Sequence, residues 1–239
     1  MSLNTLFPVP HHSILAGFST SPAITLPQIT HVALSDPDLG IHRASQHSHE
    51  IVTPPHADAA HPVAWEAVFL KGSINPGNKT APPGGFGFYI HGPKTWRRQL
   101  ERHLERQEVV LSYEVLFEDG WAWQKGGKLP GIYGGVGEFA YGCSGGRQEN
   151  RCKCFSLRLM WRQGGKGELY AYLPLNETNA AALLAVPQSH RNSDYGFSVG
   201  RGLWTFTPGR WIAVAERVKM NTVKSKSSSM ANPYYTRRG

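Results

Sequence analysis

The chain has 239 residues, 40% of them hydrophobic, and this composition predicts one domain with a sizeable core and some sequence outside it. Its net charge of +8 favours an anionic partner, such as nucleic acid, an anionic membrane surface or an acidic polysaccharide. Since no apolar run reaches the roughly 18 residues that span a bilayer, and "SILAGF" is too short for a secretory signal core, we expect no membrane partner.

The first 61 residues are rich in Pro, Ser and His and show little periodicity, which predicts a flexible N-terminal arm over residues 1–61. Several histidines of the arm could in principle collect a metal ion: His42, His47, His49, His56 and His61. Because ligands on a flexible segment lack preorganised geometry, we expect no metal site there.

From Trp65 onward, short alternating runs are separated by Gly, Pro and Asn, the pattern of an antiparallel sandwich or barrel. We therefore predict an all-β domain over residues 62–222. The Ser- and Lys-rich stretch that follows predicts a polar tail over residues 223–239.

Two segments of the β domain have helical patterns. Residues 94–107, "KTWRRQLERHLERQ", carry an apolar residue at every fourth position, which predicts a short amphipathic helix. Residues 178–185, "TNAAALLA", predict a second short helix, capped by Thr178 or Asn179.

The segment "KGGKLPGIYGG", residues 125–135, combines many glycines with two lysines. A phosphate-binding loop is excluded because Leu129 stands where that loop needs Ser or Thr. A dinucleotide fingerprint that begins at Gly135 lacks the helix that should follow it. The segment therefore predicts a Gly-rich connection between strands.

Three cysteines, Cys143, Cys152 and Cys154, lie within twelve residues. The spacing of Cys152 and Cys154 is not that of a zinc knuckle. A Cys143–Cys154 disulfide is one option, and the sequence leaves the pairing open.

Two alternating runs, "CFSLRLMWR" (154–162) and "ELYAYLP" (168–174), predict a β-hairpin joined by a Gly-rich turn. Because side chains alternate in a strand, the polar residues of each run share one face. This face contains Ser156, Arg158, Met160 and Arg162 from the first strand, and Glu168, Tyr170 and Tyr172 from the second.

The loop length decides whether the two polar faces coincide. A loop of three or five residues centred on Gly165 predicts three cross-strand pairs: Arg162 with Glu168, Met160 with Tyr170, and Arg158 with Tyr172. A two-residue loop would place the faces on opposite sides. The pattern by itself also fits a solvent-exposed outer surface.

Three long segments carry a family resemblance: "VVLSYEVLFEDGWAWQKGGKLPGIYGG", "CFSLRLMWRQGGKGELYAYLP" and "YGFSVGRGLWTFTPGRWIAVAERVKMN". Together, from about Trp65 to Asn221, they resemble the catalytic module of family 14 polysaccharide lyases, which includes alginate and glucuronate lyases, with fungal glucuronan lyases as structural relatives. The resemblance implies a β-jelly roll, an antiparallel two-sheet sandwich with a cleft on its concave sheet. It also implies a module shortened at its C-terminal end.

The resemblance further implies β-elimination of β-1,4-linked polyuronate, glucuronan or alginate, giving unsaturated uronate ends. The implied catalytic residues are Lys128, Arg158, Tyr170 and Tyr172. The resemblance also implies Ser156 as a functional residue, which we expect to bind substrate. We further expect Lys125, Arg162 and His91 to bind substrate. A noncatalytic jelly roll that binds acidic polysaccharide is the alternative interpretation.

The chemistry of a uronate lyase explains the residue types. Arg158 or Lys128 would neutralise the uronate carboxylate before the proton on the neighbouring ring carbon is removed. A tyrosine can act as base and acid if nearby cations lower its pKa below 10, and Tyr170 and Tyr172 are the candidates.

The remaining expectations concern partners and location. The scheme requires no cofactor or metal, and the resemblance allows a structural calcium ion. The sequence has no recognition-helix, zinc-finger or RNA-binding signature, so we expect no nucleic-acid partner. The resemblance implies action outside the cell on an anionic polysaccharide, although the sequence has no clear signal peptide, and we expect a monomer.

Overall fold

A computed structural model of the protein describes residues 6–46, 48–73, 79–102, 108–147 and 149–220. Local contacts divide the described chain into two compact units. The first contains the residues up to Glu108 together with Ala213–Ala215. The second contains Val109–Ile212 and the residues from Glu216 onward.

The first unit consists of short elements joined by turns. Its elements are β1 (Gly17–Ser19), β2 (Ile29–His31), α1 (Asp36–Leu39), β3 (Ile41–His42), β4 (Ile51–Val52), β5 (Ala64–Trp65), β6 (Tyr89–Ile90) and α2 (Lys94–Arg102). Strands β1 and β2 pair in parallel, whereas β3 pairs with β6 and β4 with β5 in antiparallel fashion.

The described residues of the predicted flexible arm include short helices and short strand pairs. Helix α1 begins at Ser35, whose hydroxyl accepts the Asp38 N–H, and ends at Gly40 in the left-handed region, φ +61°. Leu39 is buried within this segment. Capping and short strand pairs, which a search for long periodic runs does not detect, therefore order this stretch. His47 lies outside the described residues.

Helix α2 confirms the first helix prediction as far as the described residues reach. It covers Lys94–Arg102, and residues 103–107 of the predicted helix lie outside the described part. The ring of Trp96 packs edge-on against Phe18, with centroids 5.2 Å apart.

The second unit contains the longer strands. Its elements are β7 (Glu108–Leu116), β8 (Gly127–Gly135), β9 (Cys154–Trp161), β10 (Gly167–Tyr172), α3 (Glu177–Leu184), β11 (His190–Asn192), β12 (Gly196–Val199) and β13 (Trp211–Lys219), except that Glu108 of β7 and Ala213–Ala215 of β13 belong to the first unit. An antiparallel five-stranded sheet has the order β11-β12-β10-β9-β8, and β13 pairs with β7. The predicted tail, residues 223–239, lies outside the described part.

The Gly-rich segment was predicted to be a connection, and this prediction is wrong because most of it is strand β8. The glycines allow close packing within the sheet. A Cβ on Gly127 would overlap the Trp161 ring, and one on Gly131 would overlap the Leu157 carbonyl oxygen.

The apolar face of the five-stranded sheet forms a core with helix α3. Ala171, Phe197 and Val199 pack with Ala180 of α3, and Leu157 and Leu169 border this cluster. The alternation predicted for the two hairpin strands is therefore confirmed.

Helix α3 matches the second predicted helix but begins earlier. Its N-cap is Asn176, whose side-chain oxygen accepts the Asn179 N–H at 2.8 Å, so neither Thr178 nor Asn179 is the cap. Apart from three helices and short 3₁₀ turns, the regular elements of the described ranges are strands, and the all-β class is confirmed. None of the helices described has the length and apolarity needed to cross a bilayer.

Candidate active site

The β9–β10 hairpin aligns the two polar faces, as predicted, but in a register displaced by two residues. Tyr170 lies opposite Arg158, Tyr172 opposite Ser156, and Glu168 opposite Met160. The loop spans residues 162–166, centred on Gly164 at φ +71° rather than on Gly165. Because a shift of two preserves the alternation, the same side chains still share one face.

Strand β8 adds a third row to this face. Lys128 lies opposite Met160 and Tyr133 opposite Ser156, with a β-bulge between Lys128 and Gly131. Lys128 therefore reaches this face from a strand, not from a loop as predicted. We call this side of the sheet the polar face, and its residues are Lys128, Tyr133, Ser156, Arg158, Met160, Glu168, Tyr170, Tyr172 and Ser198.

Two tyrosines occupy the centre of the polar face. Their ring centroids lie 5.3 Å apart in an edge-to-face arrangement, and Tyr170 is 9% exposed whereas Tyr172 is only 1% exposed. The guanidinium groups of Arg158 and Arg151 lie over the Tyr172 ring, at 5.3 and 5.4 Å from its centroid. Tyr170 is thus the tyrosine nearer the surface, and Tyr172 is held among cations beneath it.

The electrostatics of Tyr170 differ from the expectation. Burial, and then the neighbouring Tyr172, raise the pKa of Tyr170 to about 12, although Arg162 acts in the opposite direction. The expected lowering by cations is therefore wrong for Tyr170, because removal from water outweighs the nearby charge. Its phenol is protonated at neutral pH.

The polar face carries positive charge that the described residues do not neutralise. Lys128 is exposed and Arg158 half-buried, and neither forms an ion pair within the described part of the chain. The Nε and Nη2 atoms of Arg158 are buried without a hydrogen-bond partner in those ranges. Partial desolvation, and then the charges of Arg158 and Arg162, lower the pKa of Lys128. This arrangement suits an anionic ligand.

Glu168 is a fully buried carboxylate at the edge of the tyrosine pair. It accepts hydrogen bonds from Arg162 Nε at 2.7 Å, Ser198 Oγ at 2.6 Å and Arg201 Nε at 2.6 Å. Burial raises the pKa of Glu168, but these donors outweigh burial and hold the pKa below its ordinary value. Sequence reasoning missed Arg201 and Ser198 because no spacing pattern links them to Glu168.

Arg162, which was predicted to bind substrate, forms an ion pair with Glu168, and Arg201 shares the same carboxylate. Its guanidinium lies over the Tyr170 ring, 5.4 Å from the centroid. The structure therefore places Arg162 where it positions Tyr170 and Glu168.

Ser156 is on the polar face but is completely buried. Its hydroxyl donates to the Cys143 carbonyl oxygen at 2.6 Å. Cys143 also forms a disulfide with Cys154, while Cys152 is an exposed free thiol. Ser156 and the disulfide thus hold the same loop against the polar face.

Two predicted substrate-binding residues lie elsewhere. Lys125 is exposed and precedes strand β8 by two residues. His91 belongs to the first unit, where its ring stacks on His42 with centroids 3.7 Å apart. Burial, and then the charge of His42, lower the pKa of His91.

In the residues that the structure describes, no three His, Cys, Asp or Glu side chains are grouped as metal ligands. The expectation that no cofactor is required, with a structural calcium ion allowed, stays a prediction.

Comparisons with known proteins agree with this geometry. The profile of the family described as Polysaccharide lyase 14 matches residues 58–235. The chain is similar to a solved structure, the marine PL-14 alginate lyase from Aplysia kurodai, at 34% identity and a TM-score of 0.61, covering 78% of this chain and 65% of that one. The expected jelly-roll class is thereby confirmed. The chain spans about 65% of the length of that relative.

A second solved structure is less similar. It is the alginate lyase vAL-1 from a Chlorella virus, at 19% identity and a TM-score of 0.48, covering 79% of this chain and 67% of that one. Among curated proteins, none matches the sequence.

Proposed function

The chain belongs to polysaccharide lyase family 14, and we propose that it cleaves 1,4-linked polyuronates by β-elimination. The observation that carries this proposal is the pair of unneutralised cations, Lys128 and Arg158, on the same sheet face as Tyr170. The Aplysia relative is an alginate lyase, so alginate is the first polymer to test.

The two cations would hold the uronate carboxylate. The proton on the ring carbon beside that carboxylate is very weakly acidic until the negative charge of the enolate-like transition state is stabilised. Arg158 forms no ion pair within the described ranges, and its planar guanidinium suits bidentate contact with a carboxylate. Lys128, which is exposed, would capture the anionic chain as a point charge.

Tyr170 would exchange the proton with the sugar. It is more exposed than Tyr172, and a polymer can contact it more readily. As a phenolate it would remove the ring proton, and as a phenol it would return a proton to the leaving 4-linked oxygen. The pKa of about 12 makes the phenolate the minor form at neutral pH, so this mechanism predicts turnover that increases with pH.

Tyr172 would position Tyr170 and would not contact the sugar. The two phenol rings are in edge-to-face contact, with centroids 5.3 Å apart, and the ring of Tyr172 is held by Arg151 and Arg158. A side chain that is 1% exposed reaches a polymer only through its neighbours.

The protein would act outside the cell. A polymeric anion does not cross a membrane unaided, and the Cys143–Cys154 disulfide suits an oxidising compartment. We also propose that the monomer suffices, because the residues assigned here come from one sheet of one chain.

An ultraviolet assay across polymannuronate, polyguluronate and polyglucuronate tests the proposal. Elimination creates an unsaturated uronate that absorbs in the ultraviolet, and a neutral 1,4-linked glucan serves as the control polymer. Absorbance that grows with at least one polyuronate and not with the glucan would support the proposal. Binding of a polyuronate with no absorbance from any of the three would favour the noncatalytic alternative.

A further inference from the structure

The β-bulge of strand β8 lies between the two cations of the polar face. Lys128 is opposite Met160 and Gly131 is opposite Arg158, so three steps along β8 match two along β9. A bulge of this kind leaves part of the ladder unpaired and changes the direction of neighbouring side chains. Pro130, which has no N–H, stands within the bulge.

A buried carboxylate from strand β13 meets the backbone at this bulge. Glu216 is 7% exposed, and its Oε2 accepts the Ile132 N–H of β8 at 3.3 Å. The backbone N–H of Leu159 in β9 acts to lower the pKa of Glu216. In the pairing of β8 with β9, Leu159 lies opposite the bulge of β8. A regular antiparallel ladder would pair Leu159 with a residue of β8 at this point.

The groups around Glu216 are consistent with a supporting role. Tyr113 of β7 donates its hydroxyl proton to the Pro130 carbonyl oxygen at 3.0 Å. The charge of Arg158 acts favourably on the Glu216 carboxylate, whereas Glu216 and burial raise the pKa of Tyr113. One carboxylate thus binds the backbone of β8 beside the bulge and interacts electrostatically with β9 through Leu159 and Arg158.

We propose that Glu216 is a positioning residue: it holds the bulge of β8 against β9 and thereby sets the placement of Lys128 and Arg158. A buried carboxyl is costly when its charge is only partly matched, and Glu216 Oε1 has no hydrogen-bond partner among the described residues. A residue selected only for packing would be apolar here. The expected effect on uronate binding through Lys128 and Arg158 rests on the proposed function. The expected effect on the backbone of β8 does not.

Amide hydrogen exchange tests the structural consequence. In Glu216→Ala, exchange at Ile132 should accelerate about tenfold, the effect of losing one buried hydrogen bond, while exchange in β12 stays unchanged. Glu216→Gln keeps an acceptor and should change Ile132 much less. Glu177→Gln is the matched control, because it removes a carboxylate whose side chain is 90% exposed.

A double-variant cycle tests the link to the cations. Glu216→Ala should weaken binding of polymannuronate oligomers about tenfold in the wild-type background. It should weaken binding less than threefold in a Lys128→Ala background, because residues that act through one another are not additive. If Glu216→Ala does not fold, Glu216→Asp replaces it, since it keeps the charge and shortens the reach.

The outcomes separate this proposal from the proposed function. Equal losses of affinity in both backgrounds, or unchanged Ile132 exchange in the Ala or Asp variant, would overturn the positioning role. If the wild-type protein binds uronate oligomers without eliminating, the lyase proposal fails while both tests remain decisive. If it does not bind them, hydrogen exchange decides alone.

Discussion

Replacing Glu216 by Gln should stabilise the fold at alkaline pH. Burial raises the pKa of Glu216 from its ordinary value of 4.5 to about 7. The folded protein therefore holds this proton more tightly than the unfolded chain does. The resulting stability is fully present below about pH 4.5 and is lost as the pH rises through about 7.

The magnitude follows from the size of the pKa change. Each pKa unit corresponds to about 1.4 kcal/mol, so between pH 5 and pH 8 the ionisation of Glu216 should cost the wild-type fold roughly 2–3 kcal/mol. Glu216→Gln has no proton to lose at this position. The variant should therefore gain roughly 2–3 kcal/mol relative to the wild type between the two pH values.

Urea unfolding of both proteins at pH 5 and pH 8 measures this difference. Taking the difference between the proteins cancels the pH dependence of groups that they share. Glu177→Gln, at an exposed ion pair, should show a difference from the wild type that is nearly independent of pH. A Glu216→Gln difference that changes by less than about 0.5 kcal/mol between the pH values would refute the reasoning.

The other predictions concern the polar face. Arg158→Ala should lower turnover by about 10²–10³, more than it lowers affinity, as steady-state kinetics on the best polyuronate would show. Tyr170→Phe should lower turnover by about 10²–10⁴ and Tyr172→Phe much less, and equal losses in the two variants would contradict the assignment. The wild-type kcat/KM should rise with pH, because the phenolate of Tyr170 forms only towards pH 12. Lys128→Ala should mainly raise KM, and titration with salt should reduce the difference from the wild type. Glu168→Gln should destabilise the fold by roughly 2 kcal/mol at pH 7 and by less at pH 3, as urea unfolding at both pH values would show. The reason is that the pKa of Glu168 is lowered in the folded protein, so the stability that its carboxylate contributes is lost in acid.

The hairpin was predictable because strand alternation needs only local sequence. Ser156, Arg158, Tyr170 and Tyr172 were placed on one face from their spacing, and the structure confirms this. The exact register was two residues off because the loop centre was assigned to Gly165, and several adjacent glycines allow either centre.

The segment containing Lys128 was misread for a different reason. Glycine most often marks a turn, whereas Gly127 and Gly131 permit close packing inside a strand. Only the neighbouring strand, with Trp161 and the Leu157 carbonyl at these positions, reveals that requirement.

The supporting groups of the site were mostly beyond sequence reasoning. Glu168, Ser198 and Arg201 are brought together by pairing between strands and by a turn, which local patterns do not specify. Glu216 did leave a signal, because it alternates with Ile212 and Val214 on the inward-facing side of "WIAVAERV". A single carboxylate on an apolar strand face is worth testing as a positioning residue.

The central claim is tested most directly by the ultraviolet absorbance of unsaturated uronate, measured as the wild-type protein and Arg158→Ala act on the same polyuronate. The account predicts steady growth of absorbance with the wild type and a rate about 10²–10³ lower with the variant, while both proteins bind the polymer. An absorbance that never rises with the wild-type protein despite binding, or one that rises equally with Arg158→Ala, would contradict it.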